Sequence, residues 1–136
     1  MRATSDFTVD AYEPSSFDEQ AQVPEGFQLS RTRIVKTFSG DLAGTSVTQA
    51  IMSVTQGGSA GYVANELIVG SLHGRRGSFL LQHSATANRG AQSGSWTVVP
   101  DSGPAELAGL SGQGEVTIDA EGGHTFTLDY DLPGEI

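Results

Sequence analysis

Apolar and polar residues alternate along most of this chain with a period of two. In residues 5–12, Phe7, Val9 and Ala11 interleave with Thr8 and Asp10. Such alternation puts successive side chains on opposite faces of a strand. Residues 27–38 read as a second strand, with Leu29 and Val35 on one side and Ile34 and Phe38 on the other. Residues 45–54, rich in Thr, Val and Ile, form a third. Further on, 95–99 aligns Trp96 with Val98, 113–119 aligns Val116 with Ile118, and 124–132 aligns Phe126, Leu128 and Tyr130. Clusters of Gly, Ser, Asn and Asp at 39–45, 55–59, 86–94 and 101–112 separate these runs and supply turn chemistry. Residues 13–26 are acidic, broken by Pro14 and Pro24, and predict a loop that is either a solvated connector or a lid. Residues 133–136 predict a short tail.

The longest regular signal is 61–85, GYVANELIVGSLHGRRGSFLLQHSA, which reads as one β-hairpin. With Gly74 and Arg75 as a two-residue loop, glycine takes the first central position of a type II′ turn. That choice pairs Leu72 with Gly77, Gly70 with Phe79, Ile68 with Leu81, and Glu66 with His83. One face then carries Tyr62, Glu66, Ile68, Phe79, Leu81 and His83, and predicts the interior. The other face carries Leu67, Val69 and Leu80. Apolar residues on both faces of a sheet imply cover on both sides, so the chain is expected to form a homo-oligomer. At the last hairpin, a three-residue loop of Glu121, Gly122 and Gly123 sets Ile118 opposite Phe126 and Val116 opposite Leu128, with Gly123 in the left-handed position.

About eight antiparallel strands joined as neighbours predict an all-β fold in a single domain over 1–136. An eight-stranded antiparallel barrel leaves no open edge and has room for side chains or one small ligand; a β-sandwich is the other arrangement such strands allow. With 136 residues and 18 glycines the chain suits one core. A formal charge of −9 argues against a nucleic-acid partner, which calls for a basic patch. The absence of cysteine excludes disulfides and thiolate metal sites and favours a reducing compartment. The start of the chain has no apolar signal-peptide core and no run is long enough to span a bilayer, so a cytoplasmic location is the default expectation.

The phrases SGDLAGTS at 39–46, 62–85, WTVVPDSGPAELAGLSGQG at 96–114 and HTFTLDYDL at 124–132 together resemble DUF3224, a bacterial family of unknown function with an allene oxide cyclase-like barrel. The crossing at 102–112 also resembles the glycine-rich segment of allene oxide cyclases and dirigent proteins. Gly103, Leu107, Gly109 and Gly112 match it, and Pro104 and Ala105 depart from it. The resemblance implies the barrel and, by way of the cyclases, a cofactor-independent cyclase or isomerase acting on a small apolar molecule. It brings no established activity of the family itself.

Glu66 and His83 are the candidate catalytic pair. A carboxylate beside an imidazole can hold one ring nitrogen and leave the other for proton transfer, though such a pair also serves simply to satisfy buried polar groups. Tyr62, Ile68, Phe79, Leu81, Trp96, Phe126 and Tyr130 are candidates for the walls of a substrate pocket, or equally for ordinary core. Arg31, Arg33 and Lys36 predict surface partners for the surplus acids. His73, His83 and His124 lie in different elements, so no metal site is expected. No phosphate loop or dinucleotide fingerprint occurs, and no cofactor is called for. A non-catalytic carrier or sensor of a small apolar ligand, or an oligomeric barrel with a filled core, fits the same residues.

Overall fold

A computed structural model of the chain describes residues 1–16 and 22–133. Eight strands follow one another: β1 (Arg2–Ser16), β2 (Gln28–Gly40), β3 (Leu42–Val54), β4 (Ala60–Leu72), β5 (Arg75–Asn88), β6 (Ala91–Val98), β7 (Ser111–Ile118) and β8 (His124–Asp131). Each pairs antiparallel with its sequence neighbour, and β8 returns to β1, so the sheet closes into a barrel. The seam between β6 and β7 is the thinnest, held by Trp96 opposite Gly114 and Thr97 opposite Gln113. The chain crosses from one to the other through a short 3-10 turn, Ala105–Leu107.

Several strands run further than alternation predicts. The first continues through Pro14 to Ser16, so residues 13–16 pair with β2 rather than belonging to a loop. Pro14 is tolerated because pairing with β8 ends at Phe7, which leaves this stretch of β1 with β2 on one side and no described strand on the other. The rest of that predicted loop includes 17–21, which lie outside the described residues, as do 134–136 of the tail. The predicted loop at 86–94 contracts to Arg89 and Gly90, both in the left-handed region at φ 51° and 90°, which is the backbone of a two-residue type I′ turn.

The central hairpin uses the same device, and here the register differs from expectation. Its loop is His73 and Gly74, at φ 47° and 82°, so glycine occupies the second central position of a type I′ turn, not the first position of a type II′ turn. Leu72 therefore pairs with Arg75, Ile68 with Phe79, Glu66 with Leu81, and Ala64 with His83. Phe79 faces Ile68, and Gly70 faces Gly77. A left-handed histidine is unusual, and this one is held from three sides. Its backbone N–H donates to the Asp41 carbonyl at 2.8 Å, Nδ1 lies 2.6 Å from the Tyr130 hydroxyl, and Nε2 lies 3.5 Å from Asp41 Oδ2. At the last hairpin Ile118 pairs with His124 and Val116 with Phe126. The loop there has five residues because the Asp119 carboxylate accepts from the N–H groups of Glu121 and Gly123, and the left-handed residue is Gly122.

Both registers slip by two residues, an even number, so the side chains keep their faces. The interior is the face that carries Glu66, Ile68, Phe79, Leu81 and His83. One half of it is packed solid by Phe7, Phe38, Leu42, Leu72, Leu128 and their neighbours. Gly44 and Gly70 face each other across β3 and β4 there, and a methyl on Gly70 would run into the Ala43 carbonyl. Leu107 and Leu110 plug that end. The other half is lined by smaller or more polar groups and forms the open end. Among the described residues no helix is long and apolar enough to cross a membrane.

Gly74→Ala tests the turn assignment. Open space surrounds Gly74, so the added methyl meets nothing and the cost is conformational. The variant should lose about 1 kcal/mol in a denaturant melt, whereas Arg75→Ala, outside the loop, should lose far less.

Candidate functional site

Four strands bring one polar network to the middle of the barrel. The side chains of Lys36 on β2, Ser46 on β3, Glu66 on β4 and His83 on β5 all point inward, because the even positions of β2, β3 and β4 and the odd positions of β5 share the buried face. Glu66 is 1% exposed and His83 5%. Glu66 Oε1 accepts from Lys36 Nζ at 3.3 Å and lies 3.0 Å from His83 Nε2, while Oε2 accepts from the Ser46 hydroxyl at 2.6 Å. His83 Nδ1 lies 2.8 Å from the Tyr62 hydroxyl.

Glu66 and His83 thus meet, but diagonally. Glu66 is level with Leu81, and His83 with the small Ala64, so the contact runs between positions two residues apart in the register. The imidazole is held from its flanks as well. Trp96 is its cross-strand neighbour on β6 and lies roughly parallel to it, with ring centroids 6.1 Å apart, and Tyr62 meets it edge-on at 5.4 Å.

Burial alone would raise the Glu66 carboxyl. The His83 hydrogen bond, the Lys36 charge and the Ser46 hydrogen bond outweigh it and hold the group below its ordinary range, so it is a carboxylate at neutral pH. Burial, with the Glu66 charge behind it, pushes the Tyr62 phenol up to about 12, so it keeps its proton. These two states constrain the hydrogen bonds on either side of His83. An ionised Glu66 takes a proton donor, so Nε2 carries a hydrogen toward it; with the neutral imidazole, the Tyr62 O–H donates to the bare Nδ1. Lys36 rests its ammonium 4.8 Å above the Phe7 ring.

Tyr62 is the end of this chain of contacts that reaches the open end. There Met52, Val54, Ala60, Tyr62, Ala85 and Ala87 line an apolar hollow of about 240 Å³. Those six have inward parity, Ser53, Gly61 and Thr86 of outward parity complete the rim, and Tyr12 from β1 approaches it by donating its hydroxyl hydrogen to Met52 Sδ at 3.3 Å. Two larger hollows, about 630 and 640 Å³, sit on the outer wall, where most lining positions (Gln49, Ile51, Val63, Gln82, Ser84, Ser95) have outward parity. The first of them also reaches His83 and Ala64, and the second Tyr62, so each touches the network from the outer side, while the smaller hollow meets it at Tyr62 and is the most apolar of the three.

Of the remaining predicted pocket residues, Trp96 is half-buried beside His83. Ile68, Phe79, Leu81, Phe126 and Tyr130 are at most 3% exposed and pack on one another in the closed half. Tyr130 turns its hydroxyl to His73. Arg33 pairs with Glu13 on the surface at 2.7 Å, as its type suggested, but Lys36 does the opposite and turns inside. Sequence reasoning also missed Ser46 and two buried threonines, Thr32 and Thr48, whose hydroxyls have no hydrogen-bond partner among the described residues. The parity of Phe38 on β2 was the available signal, since Thr32 and Lys36 share it. Among the described residues no group of His, Asp and Glu could hold a metal ion.

The fold and the network now stand beside known proteins. The family model described as "Protein of unknown function (DUF3224)" matches residues 3–130. The chain belongs to the DUF3224 family. Its barrel is similar to the crystal structure of a DUF3224-family protein of unknown function from Shewanella oneidensis MR-1, with a TM-score of 0.87, 35% identity and 97% of each chain covered. No curated protein matches the chain. For this DUF3224 barrel the likeness establishes family and architecture, and the chemistry has to be argued from the residues themselves.

The network yields two stability predictions. Glu66→Gln should cost roughly 3–5 kcal/mol at pH 7, because it strands Lys36 in the interior, and adding Lys36→Met should restore most of that loss in a chemical melt. The pH dependence follows the sign of the shift. Glu66 is depressed in the folded state, so its contribution is complete above the unfolded carboxyl value of 4.5 and is lost as pH falls below it. Melting curves between pH 7 and pH 3 should show a shallower acid limb for the double variant than for the parent. In a separate test, Thr32→Val and Thr48→Val each replace an unpartnered buried hydroxyl by a methyl of the same shape. Each should raise stability by about 1 kcal/mol, and a loss of similar size would mean that the hydroxyl is bonded in solution.

Proposed function

We propose that this DUF3224 barrel binds a small apolar organic molecule at its open end and acts on it by proton transfer without a cofactor, as an isomerase or cyclase. The observation that carries the reading is the continuous line Glu66–His83–Tyr62, buried at one end and ending on an apolar hollow at the other. A carboxylate so deeply buried is expensive, and pairing it with a histidine and a phenol that faces apolar space is the arrangement general acid–base chemistry needs.

With the neutral imidazole, the Tyr62 oxygen has its hydrogen engaged with Nδ1 and its lone pairs free. It can take a proton from an activated group of the bound molecule while its own proton passes to Nδ1. The imidazolium so formed donates from both nitrogens, to Glu66 and to the phenol. Return of a proton to a different atom of the molecule reverses both transfers and leaves an isomer. The phenol stays neutral throughout, as a group pushed up to about 12 must near neutral pH. Trp96 and Tyr62 bracket the imidazole and limit its rotation, which keeps both nitrogens on their partners. The apolar lining supports an apolar substrate, since it can desolvate a hydrocarbon skeleton but offers few polar groups to recognise a charged one.

The same hollow supports a non-catalytic alternative, a carrier or sensor of the same class of ligand. Its favouring observation is that Tyr62 is the one titratable residue among those that line the hollow.

A small cyclic ketone such as cyclohexanone, followed by NMR in deuterated buffer, separates the readings. Saturation transfer reports binding, and loss of the α-proton signals reports proton abstraction. The enzyme reading expects exchange above the buffer rate, cut about 100-fold or more by Tyr62→Phe and by His83→Ala while binding persists. Binding without exchange would leave the carrier. No binding of either the ketone or cyclohexane would sink both.

A further inference from the structure

Charge is divided unequally between the two sides of the barrel. On β3 to β6, every outward position from Thr45 to Ser53, Val63 to Val69, Ser78 to Thr86 and Ser93 to Thr97 is uncharged. The one acid in those four strands, Glu66, points inward. The opposite wall carries Arg2, Asp6, Arg33, Glu115, Asp129 and Asp131 on its outer face, where Arg2 pairs with Asp129 at 2.8 Å. A chain with a net charge of −9 has therefore left a broad stretch of its outer wall without charge, with Arg76 at the β5 end of it.

That neutral wall is also where large apolar side chains stand in solvent: Ile51 is 44% exposed, Val63 58%, Leu67 45% and Val69 50%. Leu80 is half-buried, and the crossing after β6 takes its backbone edge: Val99 N–H donates to its carbonyl and Ser102 Oγ accepts from its N–H. The free part of the wall is thus centred on β3 and β4 and the middle of β5, with Gln49, Asn65 and Gln82 interspersed as neutral hydrogen-bonding groups.

We infer that this wall is a self-association surface and that its occupant is the same wall of a second copy of this chain. Electrostatics favours a second copy as the occupant. Two molecules that each carry −9 repel wherever both present acids, and this is the broad face on which neither presents any. Depletion of charge with apolar and neutral amide groups between is the composition of an interface core. The size is right too. Four strands ~4.8 Å apart and about nine residues long make a face of roughly 20 by 30 Å, the order of the ~800 Å² each partner of a standard interface contributes. A strongly basic partner would be drawn instead to the acidic wall.

Sedimentation equilibrium of the whole chain tests this. The parent should have at least twice the mass of one chain at micromolar concentration. Val63→Asp combined with Leu67→Asp should bring it to the mass of one chain while cooperative melting is retained. Thr117→Asp, on β7 of the other wall, should leave the assembled mass unchanged. Should the double variant fail to fold, Leu67→Lys alone makes the same test at a side chain already in solvent. A single-chain mass for the parent at hundreds of micromolar, or an assembled mass that survives charge on this wall, overturns the proposal.

Discussion

The interior of this barrel is organised around one buried carboxylate. Two unit charges 3.3 Å apart, the Lys36–Glu66 separation, attract by about 5 kcal/mol at an effective dielectric constant of 20. Removing both from water costs several kcal/mol per ion. The pair is therefore close to break-even, and Glu66 stays ionised because His83 adds a hydrogen bond to the oxygen it shares with Lys36 and Ser46 donates to the other. Each of those donors comes from a different strand. The carboxylate consequently ties β2, β3, β4 and β5 together at one level, and a slip of any of them by one residue would leave a charge buried without a partner.

That constraint explains why the sequence could be read for faces but not for pairs. Alternation in 61–85 assigns Glu66 and His83 to the interior whichever turn closes the hairpin, because the II′ and I′ choices differ by two residues. Which residue lies opposite which depends on the turn, and the turn was decided by His73. Nothing local in His-Gly-Arg-Arg marks the histidine as left-handed. It is held so by Asp41 and Tyr130, from β2–β3 and β8, which no short-range pattern can reveal. The last hairpin teaches the same lesson through Asp119, whose side chain enlarges the loop by capping two N–H groups.

The inward lysine was illegible for a different reason. On β2 neither parity is cleanly apolar, since Val35 and Ile34 are adjacent, and a lysine among arginines reads as surface. Only closure of the barrel, which fixes Phe38 inside, carries Lys36 in with it. Thr32 and Thr48 were hidden likewise, because threonine is common on both faces of a strand. Length of strand was underestimated wherever turn residues could also extend, as at 86–94, where Ala91 to Gly94 pair with β5.

The two halves of the barrel divide the work. Phenylalanine and leucine fill the closed half, with glycines where the walls come too near for a side chain, and most of the apolar burial is there. The row that contains His83 is built otherwise: Thr32, Ala50, Ala64, His83, Trp96 and Gly114 follow one another from strand to strand. A barrel that needed only stability would gain by enlarging Ala50 and Ala64 to fill the interior. Small residues on two adjacent strands instead give the imidazole room to reach Glu66 on one side and Tyr62 on the other. The packing of the closed half makes that arrangement tolerable, because it stabilises the fold independently of a polar layer that contributes little net energy of its own.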